Sequence, residues 1–187
     1  MARFSYTPGM NPALDAAHLD ILALAQAGAQ LQGHSPLSQW PRLLAENQGA
    51  PDTDVHWQLQ GRLQQVTGAS PQVWVDLQAR VILRQTCQRC LTPTDTELNA
   101  RQSLRFVADE ATAAALDDEM DEDVLVWSRD FNALELIEDE LILSLPLVPA
   151  HDQCPSALPR QAADPEALVP EPARNPFAAL ASLKKKD

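Results

Sequence analysis

The chain has 187 residues, 45% of them apolar but only 5% aromatic, and a formal net charge of −12. That length allows one domain with an aliphatic core, whereas so acidic a balance excludes a protein that coats nucleic acid with its whole surface. Any RNA contact must come from a local basic face.

Three cysteines, an odd number, fit reduced thiols better than a disulfide scaffold. The N-terminal residues lead into no long apolar run and no small-residue cleavage pattern, so no signal peptide is expected. The most apolar stretch, Leu141 to Val148, is too short to span a bilayer and contains Pro146. A cytoplasmic protein is the expectation.

In chain order, Leu14, Ala17, Ile21, Leu22 and Ala25 share one stripe, which predicts a helix over 13–27 ended by Gly28. A second short helix follows Pro36, with Leu37, Trp40, Leu43 and Leu44 on one face. Asn47, Gly49, Pro51 and Asp52 mark a loop. Val55, Trp57 and Leu59 then alternate with His56, Gln58 and Gln60, the period of a half-buried strand. A longer alternation runs from Val73 to Cys87, with Arg80 and Arg84 opposite the apolar side. A third places Leu98, Ala100, Leu104 and Phe106 inward and Glu97, Asn99, Arg101, Ser103 and Arg105 outward. Three such strands joined by short turns predict an antiparallel meander.

Residues 109–123 hold eight acids and no base, which predicts a solvated loop around a short alanine-rich turn. A helix is expected after Asp130 as N-cap, buried through Leu134, Ile137, Leu141 and Leu145, with Glu135, Glu138, Asp139 and Glu140 wet, and stopped by Pro146. Eight of the fifteen prolines lie from Pro146 onward, which predicts a disordered, Pro-rich mobile arm. It ends in a short amphipathic helix where Phe177, Leu180 and Leu183 align before three lysines. The resulting expectation is an α+β fold with helices packed on one side of the sheet. Its divisions are a helical segment over 1–53, a core domain over 54–150 and the arm over 151–187.

Two constellations carry chemistry. Cys87-x-x-Cys90 at a hairpin points two thiolates at one centre, as tetrahedral zinc requires, and His151 with Cys154 is the nearby pair that would complete it. A second CxxC is absent, so three simple reduced cysteines remain the alternative. Between residues 80 and 105 there are five arginines and two acids, a local balance of +3. Arg80, Arg84, Arg101 and Arg105 share the outer face and could grip a phosphate backbone; a solvated surface is the alternative. The four histidines show no Ser-His-Asp, Cys-His-Asn or HExxH pattern, and no Gly-rich phosphate loop is present. No enzyme and no small-molecule substrate are therefore expected.

The segment Cys87-Gln88-Arg89-Cys90-Leu91, the run from Leu136 to Pro149 with His151 just after it, and Asn175-Pro176-Phe177 through Lys184 closely resemble the YceD family. Its members are called large ribosomal RNA subunit accumulation proteins. The likeness covers the chain from about residue 54 to the end. It implies a role in synthesis, processing or stabilisation of large-subunit (23S-type) ribosomal RNA, with precursor RNA or ribosome-assembly and RNA-processing proteins as partners. Relatives with a fuller C-terminal cysteine set differ from this chain, which has only Cys154 there. The rival functions are a protein–protein adaptor working through Phe177, Leu180 and Leu183, and an RNA-processing enzyme.

Overall fold

The structure is a computed structural model and describes residues 15–50, 52–117 and 123–155. The first of the two units into which the chain separates ends at Cys154. Its elements are α1 (Ile21–Ala27), β1 (Gln30–Pro36), a 3-10 turn (Leu37–Gln39), α2 (Pro41–Glu46), β2 (Asp54–Gln64), β3 (Gln72–Thr86), β4 (Pro93–Val107), α3 (Glu110–Asp117), β5 (Val124–Val126) and α4 (Ala133–Leu143).

The fold is α+β, but the sheet is not purely antiparallel. Five strands lie in the order β1-β2-β3-β4-β5; the first four pair antiparallel, and β5 runs parallel to β4 after the crossover that contains α3. Two strands escaped the alternation pattern. In β1, Gly33 and His34 interrupt a single apolar residue, Leu31, whereas β5 has three half-buried residues and no period to read. The described part of the acidic stretch is a helix rather than a loop, because Asp109 caps it by accepting from Thr112 N at 2.8 Å.

The inward row of every long strand feeds one core: Val55 and Leu59 from β2, Val75, Leu77 and Leu83 from β3, Leu98 and Leu104 from β4. Against it pack Ile21 and Leu24 of α1, Leu43 of α2, and Ile137 and Leu141 of α4. Each such side chain, fully withdrawn from water, contributes roughly 1.5–3 kcal/mol. At Gly61 of β2 the backbone of α1 comes so near that an added Cβ would lie 2.6 Å from the Leu24 carbonyl.

Three helix boundaries differ from the sequence pattern for identifiable reasons. α1 begins only at Ile21, because Asp20 accepts from Ala23 N and Leu19 instead exchanges backbone hydrogen bonds with Phe131; Leu14 lies outside the described residues. The helix after Pro36 is broken into the 3-10 turn and α2, which Pro41 opens. α4 is capped by Asn132, not Asp130, which bonds His18 at 2.6 Å. Two of its acids are not wet: Glu138 and Glu140 are only 5% and 8% exposed. Glu138 faces the start of α2, where Trp40 supplies no side-chain cap. Its carboxylate accepts from Arg42 N at 2.8 Å, Leu43 N at 3.2 Å and Arg42 Nε at 3.0 Å.

Candidate metal centre and nucleic-acid interface

The hairpin joining β3 to β4 is closed by two backbone hydrogen bonds, Leu91 N to Cys87 O at 2.9 Å and Cys87 N to Thr92 O at 3.0 Å. To close it, Leu91 takes φ 57, a left-handed conformation that disfavours a branched side chain by roughly 1–2 kcal/mol. Beyond α4, Pro146 ends the helix and the chain returns to this hairpin: Gln88 N donates to Pro149 O at 2.9 Å, and Arg89 reaches Asp152 O at 3.5 Å. That return brings His151 and Cys154 to the cysteines.

The four predicted ligands meet. One donor atom each from Cys87, Cys90, His151 and Cys154 lie within 4.8 Å of one another. Cys87 Sγ is 3.9 Å from Cys154 Sγ, and Cys90 Sγ is 3.4 Å from His151 Nδ1. Around tetrahedral zinc, with bonds of about 2.3 Å to sulfur and about 2.0 Å to nitrogen, those edges would be about 3.8 and about 3.5 Å. The cysteines are free thiols.

The histidine is also oriented for the task. His151 Nε2 lies 3.0 Å from Pro93 O. A carbonyl only accepts, so Nε2 carries a proton; Nδ1 faces the sulfurs, donating to them while protonated and able to ligate a metal once that proton is lost, and a second ring nitrogen held by a carbonyl is typical of metal-ligating histidines. Burial pushes the Cys87 thiol up, but hydrogen bonds from the His151, Cys90 and Arg89 backbone and the His151 ring bring it down to about 5. Burial and the two neighbouring sulfurs push Cys154 up to about 11. The surroundings thus favour the thiolate at Cys87 and Cys90 and oppose it at Cys154, whose proton would leave on binding metal. The donor set fits a metal such as zinc, which would tie the end of the α4 segment to the sheet.

The outer face of the sheet holds all four predicted arginines, but not as one cluster. Arg84 and Arg105 stand at opposite ends, opposite Asp95 and Trp74 respectively, roughly 33 Å apart at about 3.3 Å per residue. Arg84 pairs with Asp95 at 3.2 Å. Trp74 stands in the same outward row of β3 as Arg80 and Arg84 yet is 6% exposed, with the Arg62 guanidinium 4.8 Å from its ring centroid. Asp76 is taken up by Arg62 at 2.9 Å and by Ser103 at 2.6 Å, so it neutralises none of the four. Arg80 and Arg101 are exposed diagonal neighbours at the centre, and among the described residues their guanidinium groups have no protein partner.

Around them the register assembles residues that the sequence pattern had not singled out. His34 pairs with His56, and their rings stack at 5.6 Å between centroids; the first of these sits on the strand the alternation missed. Phe177, Leu180 and Leu183 lie outside the described residues.

A family model described as large ribosomal RNA subunit accumulation protein YceD matches residues 75–184, more than half of the chain. The chain belongs to the YceD family. The matched stretch includes β3 from Val75 onward, β4, α4 and all four residues of the candidate metal centre. Among curated YceD proteins, one from Haemophilus influenzae named large ribosomal RNA subunit accumulation protein YceD is 37% identical over 107 residues. That alignment covers 54% of this YceD chain and 59% of the relative, under two thirds of its length. No solved structure matches this YceD protein. Among its described residues no helix is long and apolar enough to cross a membrane.

Proposed function

We propose that this protein is a non-enzymatic, cytoplasmic factor for the synthesis, processing or stabilisation of 23S-type ribosomal RNA during ribosome biogenesis. The observation that carries the reading is the family match over residues 75–184, to a family named for large ribosomal RNA subunit accumulation. Within that stretch lie the two central, unpaired guanidinium groups of Arg80 and Arg101, flanked by Arg84 and Arg105. In a chain of net charge −12, a confined basic face is the natural meeting point for precursor RNA. The Cys87, Cys90, His151 and Cys154 centre takes a structural part, holding zinc and fixing the chain beyond α4.

The stacked pair of His34 and His56 is the one feature that favours an RNA-processing enzyme. Their rings face each other with 30° between planes, which suits a stacking surface better than acid and base on two sides of a phosphodiester. The adaptor reading, through Phe177, Leu180 and Leu183, requires a protein partner instead of RNA. Deleting the gene and measuring the 23S to 16S ratio, with subunit profiles on sucrose gradients, tests the proposal. A lowered ratio is expected; an unchanged ratio under several growth conditions refutes it.

A further inference from the structure

The register places two rows of polar residues across the middle of the outer face. The first runs His34–His56–Arg80–Asn99 over β1, β2, β3 and β4, and the second runs Gln32–Gln58–Gln78–Arg101. Neighbouring strands lie about 4.8 Å apart and alternate residues about 6.6 Å apart, so this grid measures roughly 14 by 7 Å. The eight side chains include no carboxylate. The acids nearest the grid stand outside it: Asp54 lies 3.5 Å from His34, Asp76 is held by Arg62 and Ser103, and Glu97 stands two residues beyond Asn99 on β4. The grid lines an open basin of about 480 Å³, floored where the inward row is reduced to Gly33, Ala79 and Ala100 around Trp57.

Each part of this surface matches one part of a nucleotide chain. Unpaired guanidinium groups suit phosphates. Side-chain amides carry both a donor and an acceptor, the combination that reads base edges. Flat imidazole and guanidinium groups can receive unstacked bases. A concave basin one to two nucleotides wide cannot follow a rigid duplex, whose bases are hidden and whose backbone needs a long, open basic surface. It can take splayed, single-stranded RNA.

We infer that the basin centred on Arg80, Arg101, Gln58 and Asn99 binds a short single-stranded RNA segment, with the two arginines on phosphates and the amides on base edges. The inference rests on the RNA-contact reading above and narrows its ligand. The full-length, zinc-loaded protein is titrated against a labelled 12-nucleotide single-stranded RNA, and against the same length of duplex, by fluorescence anisotropy over a range of salt.

Tighter binding to the single strand is expected. Arg80→Gln with Arg101→Gln should weaken it at least tenfold and flatten the log affinity–log salt slope by about 1.4, at about 0.7 per phosphate contact. Gln58→Ala with Asn99→Ala should change base preference with the slope kept. Arg129→Gln, an exposed arginine on the loop before α4, should change neither. Preference for duplex, equal loss from Arg129→Gln, or cleavage of the RNA overturns the inference. So does an absence of RNA binding in a protein whose deletion still lowers the 23S to 16S ratio, in which case the family role stands without this site. RNA binding at the basin with an unchanged ratio supports the inference and refutes the biogenesis role.

Discussion

Replacing Cys154 by serine should release the chain beyond α4 and leave the sheet intact, and the structure gives the size of the effect. Residues 146–155 bury no large apolar side chain, and Leu147 and Val148 are exposed. Apart from the metal-site donors, three hydrogen bonds hold the segment: Gln88 N to Pro149 O, His151 Nε2 to Pro93 O, and the long one from Arg89 to Asp152 O. Together they contribute about 3 kcal/mol at about 1 each. Ordering ten residues opposes this by about 10 kcal/mol at the low end of 1–2 per residue. A structural zinc site, with an apparent 10–16 kcal/mol, closes the difference. Wild-type protein should therefore contain about one equivalent of zinc by elemental analysis, with the Gln88 and His151 amides, which donate to Pro149 O and to the Cys87 sulfur, protected from hydrogen exchange. In Cys154→Ser, or after chelation, the deficit of about 7 kcal/mol leaves those amides exchanging at open-chain rates. Amides of residues 75–83, in the middle of β3, should be unchanged. Persistent protection of the Gln88 and His151 amides in the chelated protein, or wild-type protein purified without chelator and free of zinc, refutes the reasoning.

Glu138→Ala removes three acceptor contacts from the start of α2 and leaves two backbone donors unpaired, the buried Leu43 N and the part-buried Arg42 N, so a loss of roughly 2–3 kcal/mol is expected, read as a Tm fall of about 4–12 °C. Gly33→Ala sets a Cβ 2.5 Å from the Trp57 ring and should cost roughly 1–3 kcal/mol by overpacking, visible in a urea melt. His18 is raised above its ordinary value, first by its hydrogen bond to Asp130 and then by that carboxylate's charge. Its contribution is thus full below the ordinary histidine pKa and is lost as pH rises through the folded-state value. Asp130→Asn should return the His18 titration, followed by NMR, to the ordinary range and remove that pH dependence.

The parts of the fold legible in sequence are those where a period repeats. β2, β3 and β4 alternate over eleven to fifteen residues, and the CxxC hairpin with His151 and Cys154 named the four residues that the fold brings together as a candidate metal centre. β1 was hidden because Gly33 must be small to admit Trp57, which erases the apolar residue that the period wants there. β5 was hidden by its shortness. The wet reading of Glu138 failed because a carboxylate's burial depends on which backbone donors the tertiary fold brings to it, here those of a helix ninety-five residues away in sequence. The basin was invisible for the same reason. His34 and His56 are separated by a loop and a helix, and only pairing of β1 with β2 places them together.

The central claim, that the outer face meets ribosomal RNA, is tested most directly by complementation. A deletion strain should carry either the wild-type gene or one with Arg80→Glu and Arg101→Glu, whose side chains are exposed and should leave the Tm nearly unchanged. The 23S to 16S ratio is then measured by quantitative RNA electrophoresis at matched protein levels. Restoration by the wild type and failure of the charge-reversed protein is the predicted result; full restoration by both would contradict it.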